Sequence, residues 1–135
     1  FIGSPAMNFV DATVAPEADG LFIDAGAFRL RAPASFAARI EPYAGKAVVF
    51  GVRPEDMAMH DPAAAEGGGN TLTARADVVE TLGSEIFVHL SCGAHGLVAR
   101  MEAPEVLPAD EEMLQLDVKM AKTHVFDKDT LQTVV

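Results

Sequence analysis

The sequence has no tryptophan, one tyrosine (Tyr43) and one cysteine (Cys92) in 135 residues. A single cysteine excludes an internal disulfide framework, a pattern that suits a reducing cytoplasm. Apart from eight phenylalanines there are few rings to stack on sugars or bases. Basic residues are scarce too: 10 Lys and Arg stand against 20 Asp and Glu, for a formal net charge of −10. Such a surface repels phosphate backbones and anionic lipid heads, which argues against nucleic acid as a partner. No apolar run approaches the roughly 20 residues that a membrane-spanning helix requires. Hydrophobic residues, by contrast, make up 50% of the chain. That is enough for a real core in one domain or two small units.

The dominant pattern is alternation of apolar and polar residues, the period of half-buried strands. In Leu114-Gln-Leu-Asp-Val-Lys-Met120, residues Leu114, Leu116, Val118 and Met120 share one face. Ile86, Val88 and Leu90 repeat the pattern, and Leu72, Ala74, Ala76 and Val78 do so more weakly. Turn dipeptides separate these runs. Asp19-Gly20 predicts a hairpin linking 9–15 to 21–24, and Ala25-Gly26, Gly83-Ser84 and Gly93-Ala94 mark further reversals. Gly83 is expected to need a positive φ. Asp127 begins Asp-Lys-Asp-Thr, whose aspartates can close a turn between His124–Phe126 and Leu131–Val135. About nine or ten short strands are expected, which points to a mainly β fold. One short helix is expected as well, with Ser35 as its cap, Phe36 and Ile40 on one face, and Pro42 as its stop.

Several residue groups could carry chemistry, and each has a plainer reading. Gly45-Lys46 is the one Gly-Lys pair, but Ile40 and Ala47 stand where a phosphate loop needs glycine and Ser or Thr. No ATP binding is therefore expected from this chain. His89, Cys92 and His95 have a spacing that a zinc hairpin could use, but no second ligand pair accompanies them. The expectation is no metal site. Glu80 with Glu85, and Asp127 with Asp129, are carboxylate pairs that an acidic chain produces by default. Ser84 and Ser91 lack a nucleophile-elbow pattern, so no catalytic residue is assigned. In Gly51-Val-Arg-Pro-Glu55, Pro54 stiffens the backbone between two charged side chains. Arg53 and Glu55 are either a buried structural ion pair or polar members of an interface.

Four segments in order carry a family resemblance: Phe1-Ile-Gly-Ser-Pro-Ala-Met-Asn-Phe9, Gly51-Val-Arg-Pro-Glu55, Glu80-Thr-Leu-Gly-Ser-Glu-Ile-Phe-Val-His-Leu90 and His124-Val-Phe-Asp-Lys-Asp-Thr130. Together they resemble the C-terminal regulatory region, of TOBE/OB type, of ATP-binding subunits of ABC importers for maltose or glycerol 3-phosphate. The resemblance implies two small OB-fold-like β units packed together with one short helix. It divides the chain into a linker from an ATPase domain (1–8), a first β unit with the helix (9–62), a Gly/Ala-rich loop (63–70) and a TOBE/OB-like unit (71–135). It implies a non-catalytic regulatory and dimerisation role, with ATP and magnesium bound only elsewhere in the parent subunit. The implied partners are a second copy, the chain's own ATPase domain, membrane subunits reached through that domain and, in some members, a regulatory protein. The implied location is the cytoplasmic side of the inner membrane. Asp56 departs from the family, which often has histidine after the glutamate. A stand-alone module for a sugar or an oxyanion is the competing reading; exposed aromatic residues on a concave face would favour it, and a flat apolar patch would favour assembly.

Overall fold

The computed structural model describes residues 7–61 and 70–135. Ten strands form two five-stranded antiparallel sheets. The first sheet has the order β10-β4-β1-β2-β3, from His124–Asp127, Ala47–Val52, Asn8–Glu17, Gly20–Asp24 and Arg29–Arg31. The second has the order β5-β9-β6-β7-β8, from Met57–Met59, Met113–Val118, Thr71–Leu82, Glu85–Cys92 and His95–Glu102. The fold is thus mainly β, with one short helix, α1 (Ala34–Ile40).

Sheet membership crosses the division drawn at 63–70. The short β5 pairs with β9 in the second sheet, and β10 returns to pair with β4 in the first. The reason is long-range: Val125 falls opposite Phe50, and both side chains complete the inner face of the first sheet. Inner residues of both sheets, among them Val10, Ile23, Phe50, Met57, Ile86, Leu90 and Leu116, form one continuous core. Phe36 and Ile40 of α1 join it, each worth about 1.5–3 kcal/mol by burial.

Three local expectations change. The helix begins at Ala34 after Pro33, with no side-chain cap, so Ser35 lies inside the first turn. Pro33 holds an extended conformation at the cap position, and its carbonyl accepts from the N–H of Phe36 and of Ala37. Pro42 stops α1 as expected: the helix ends at Ile40, and the chain tightens into a 3-10 turn over Glu41–Tyr43. In the first hairpin Glu17 pairs with Gly20, so Ala18-Asp19 form the loop and Gly20, at φ +145, opens β2. Finally, Val78 points outward at 52% exposure, although Leu72, Ala74 and Ala76 point inward. A bulge between Ala76 and Val78 inserts one residue against β7 and flips the alternation.

Candidate functional site

The outer face of the first sheet is built by register. Phe9, Gly51 and His124 lie opposite one another across β1, β4 and β10, and Asp11, Val49 and Phe126 form the next row. Gly51 has no side chain, so the ring of Phe126 and the sulfur of Met7 close over it; an added Cβ would sit 2.9 Å from the ring and 2.6 Å from the sulfur. Phe9 meets Phe126 edge to face at 5.8 Å between ring centres. Leu131, just past the turn that follows β10, completes a groove of about 440 Å³ with Phe9, Asp11, Val49 and Phe126. Phe9 is 60% exposed and Leu131 67% exposed, so this aromatic face is open. Leu131 holds φ +61, a left-handed conformation unfavourable for a leucine.

Charged groups rim the groove. Lys128 bonds to Asp11 at one margin. At the end of β4, the Arg53 guanidinium lies 3.3 Å from His124 Nε2. His124 Nδ1 faces the oxygen of Val135 at 3.0 Å, so in the neutral ring Nδ1 carries the hydrogen and Nε2 accepts from Arg53. Arg53 and Glu55 are both exposed, and among the described residues no ion pair joins them. That removes the buried-pair reading. The 3-10 turn Pro54–Asp56 turns them apart: Arg53 goes to His124, while Glu55 lies toward Arg100, whose charged form is favoured first by its bond to Glu85 and also by Glu55.

Asp127 ends β10 and closes the turn. Its Oδ1 accepts from the N–H groups of Asp129 and Thr130 at 2.9 and 3.0 Å, and its Oδ2 accepts from the Tyr43 hydroxyl at 2.8 Å. The Thr130 N–H, the Tyr43 hydroxyl and the Asp129 N–H hold this carboxyl below its ordinary range, and the same bond to Asp127 pushes the Tyr43 hydroxyl up. Around it, Pro42, Tyr43, Lys46, Ala47, Asp127, Lys128 and Asp129 line a polar cleft of about 510 Å³.

The remaining candidates go to separate partners. Cys92 faces the core and donates to Thr73 O at 3.2 Å, with its thiol pushed up by burial, whereas His89 lies on the opposite face of β7 and pairs with Glu80. His95 Nε2 reaches Ala25 O at 2.9 Å, and its ring meets Phe28 edge-on. These three side chains do not converge. Glu85 pairs with Arg100 at 2.9 Å and Glu80 with His89, so the two carboxylates face different partners. Ser91 donates to Asp77, and this bond together with Arg75 holds the Asp77 carboxyl low. Gly83, at φ +66, and Ser84 form the loop between Leu82 and Glu85.

Two polar groups, the buried Asn8 and the partly buried Asp117, were not singled out from sequence. Asn8 donates to Val52 O and to Val98 O, each at 3.0 Å, and accepts from Val98 N at 2.8 Å. Its amide takes the place of a neighbouring strand's peptide beside β8 and ties the two sheets together. Asp117 accepts from Thr71 Oγ1 at 2.7 Å, from His60 Nδ1 at 2.8 Å and from Asp61 N at 3.2 Å. Burial pushes its carboxyl up, but these bonds outweigh that effect and hold it below its ordinary range. Only the inward parity of Asn8, beside Val10 and Ala12, could have pointed to such a role.

Comparison with known proteins agrees with this architecture. Residues 3–57 match the MalK OB fold domain, and residues 50–126 match the TOBE domain. The chain is 42% identical to the trehalose/maltose import ATP-binding protein MalK of Thermococcus litoralis, over 96% of its own length and 35% of the relative's. It is 35% identical to the sulfoquinovosyl glycerol transport ATP-binding protein SmoE of Agrobacterium fabrum, covering 99% of this chain and 35% of that one. It is 36% identical to the oligosaccharides import ATP-binding protein MsmX of Bacillus subtilis, covering 96% and 35%. It thus spans about a third of the length of these relatives. Its fold is shared with the cytoplasmic molybdate-binding protein ModG at a TM-score of 0.67 and 20% identity, over 87% of this chain and 94% of that one. With two curled sheets, an OB match at one end and a TOBE match across the other, the chain belongs to the TOBE domain family found in ATP-binding subunits of ABC importers.

Proposed function

We propose that this chain is the non-catalytic regulatory and dimerisation part of the ATP-binding subunit of an importer for carbohydrates or glycerol phosphate. The observation that carries the reading is the open groove formed by Phe9, Val49, Phe126 and Leu131. A sugar site needs polar groups aimed into it to bond hydroxyls. Among the described residues Asp11 is the one charged residue lining this groove, and it is paired with Lys128. An apolar, half-open surface of this kind suits contact with another folded protein surface. The partners are a second copy of the chain, its own ATP-binding region, membrane subunits reached through that region and, in some systems, a regulatory protein. The assembly sits on the cytoplasmic side of the inner membrane. ATP and magnesium belong to the parent subunit's catalytic part. Arg53 is the cation at the end of the contact face, while Glu55 has turned away from it.

The sensing alternative has two observations in its favour: the exposed Phe9 ring on the concave groove, and the polar cleft at Tyr43, where Lys46 and Lys128 could meet an anion or a polyol. Titration calorimetry separates the two readings. ATP with magnesium, maltose and molybdate, each injected at millimolar concentration, should give no binding heat. Micromolar affinity for ATP would contradict the non-catalytic role. Binding of maltose or molybdate that is lost in Lys46→Glu would put the sensing role first.

A further inference from the structure

The groove has a counterpart on the same molecule. Between β8 and β9 the chain runs Glu102-Ala-Pro-Glu-Val-Leu-Pro-Ala-Asp-Glu-Glu112, with five acids and no Lys or Arg. At its crest Val106 is 84% exposed and Leu107 45% exposed. The loop is held at both ends. Ala103 N–H donates to Ser84 O at 2.8 Å, and Glu111 N–H to Ala76 O at 2.7 Å. Within it, Glu112 Oε1 accepts from Ala109 N–H at 2.8 Å, and Glu111 holds φ +65. The connection therefore presents an exposed apolar pair, uncovered by the described residues, with Glu105 directly before it.

The groove is the complement of this knob in both shape and charge. It is a concave apolar surface, and the knob is a convex one. At its β4 end stands Arg53, which has no carboxylate partner among the described residues and whose one contact is His124. We propose that the Val106-Leu107 crest of one copy seats in the Phe9, Val49, Phe126 and Leu131 groove of a second copy, with Glu105 against Arg53. A guanidinium and a carboxylate brought together beside excluded apolar surface make a directional contact that fixes register. We place the two copies about a two-fold axis, so that each offers its knob to the other's groove, the contact is made twice and the assembly closes at two. The inference rests on the dimerisation reading and specifies its surfaces.

The two-contact arrangement makes a prediction that a single self-complementary patch does not. A groove variant, Leu131→Asp, keeps its knob, and a knob variant, Leu107→Asp, keeps its groove. Asp tolerates the left-handed conformation at 131, so the groove variant should fold. Thermal unfolding of each variant is compared with the parent protein first; a variant that does not fold is replaced by Phe9→Asp or Val106→Asp. In sedimentation equilibrium each variant alone should self-associate at least about tenfold more weakly than the parent protein. An equimolar mixture should recover association, because one groove and one knob remain intact and can meet. Association by the knob variant alone at parental strength would overturn the pairing and leave dimerisation standing through another surface. Association by the groove variant alone would overturn it too, and would assign the groove to a different partner. A mixture of two folded, individually impaired variants that stays monomeric would likewise sink the pairing. A parent protein that is monomeric throughout would overturn both this pairing and the dimerisation reading.

Discussion

Replacing Asn8 by alanine is expected to cost about 3 kcal/mol or more of unfolding free energy. The side chain satisfies both the N–H and the C=O of Val98 and also the C=O of Val52. Truncation leaves these groups without that partner inside the structure, and a buried polar group left unpaired costs about 1–3 kcal/mol. The loss is not purely local, because Asn8 belongs to the first sheet and Val98 to the second. Asn8→Asp is a sharper probe. It keeps an acceptor for the Val98 N–H but sets a carboxylate against two carbonyl oxygens. At neutral pH it should be destabilised at least as much as alanine, and it should recover in acid as the carboxyl gains a proton. Urea titration at two pH values measures both effects. A change below about 0.5 kcal/mol in Asn8→Ala, the size of an ordinary surface substitution, would show that the amide bridge does not hold the sheets together.

Gly93→Ala should be the second large effect, at about 2–5 kcal/mol. Two penalties add. Gly93 holds φ +59, where a Cβ is strained by about 1–2 kcal/mol. The new Cβ would also lie 2.5 Å from the Ala27 Cβ, an atom fixed to backbone, so the second-sheet hairpin must move away from the β2–β3 loop. Overpacking of this kind costs about 1–3 kcal/mol. That loop also accepts the His95 bond at Ala25 O, so the shift should disturb a second contact. Gly83→Ala is the internal control. Its φ is +66, but nothing lies within 4 Å of the added atom, so only the conformational penalty applies. Equal unfolding midpoints for the two variants would contradict the contact between hairpin and loop.

Local pattern carried much of the fold. Alternation placed Leu114, Leu116 and Val118 inside, and likewise Ile86, Val88 and Leu90, because each side chain's face follows from parity alone. Parity fails where a residue is inserted without a composition signal, and the bulge before Val78 is such a place. Pairing partners are less legible. Nothing local in His124–Phe126 says that it returns to Ala47–Val52, and the decision is made by Val125 against Phe50 in the core. The groove was half visible. Phe9 has outward parity beside Asn8 and Val10, but its meeting with Phe126 and Leu131 depends on sheet order and on the bare backbone of Gly51. The charges at Arg53 and Glu55 were legible as a pair in sequence, yet the turn after Pro54 sends them to different neighbours.

Self-association is the property on which the functional account depends. In an ATP-binding subunit of the kind proposed, the ATPase domain would add further contacts, so the affinity through this region alone is expected to be weak and to gain from bivalency there. At −10, two copies repel each other most at low ionic strength. If apolar burial at the groove drives association, moderate salt should strengthen the dimer by screening that repulsion. Sedimentation equilibrium from micromolar to millimolar protein, at low and at moderate salt, measures this directly. The account predicts a monomer–dimer equilibrium that shifts toward dimer as salt is added. A monomer at every concentration and both salt levels would contradict it.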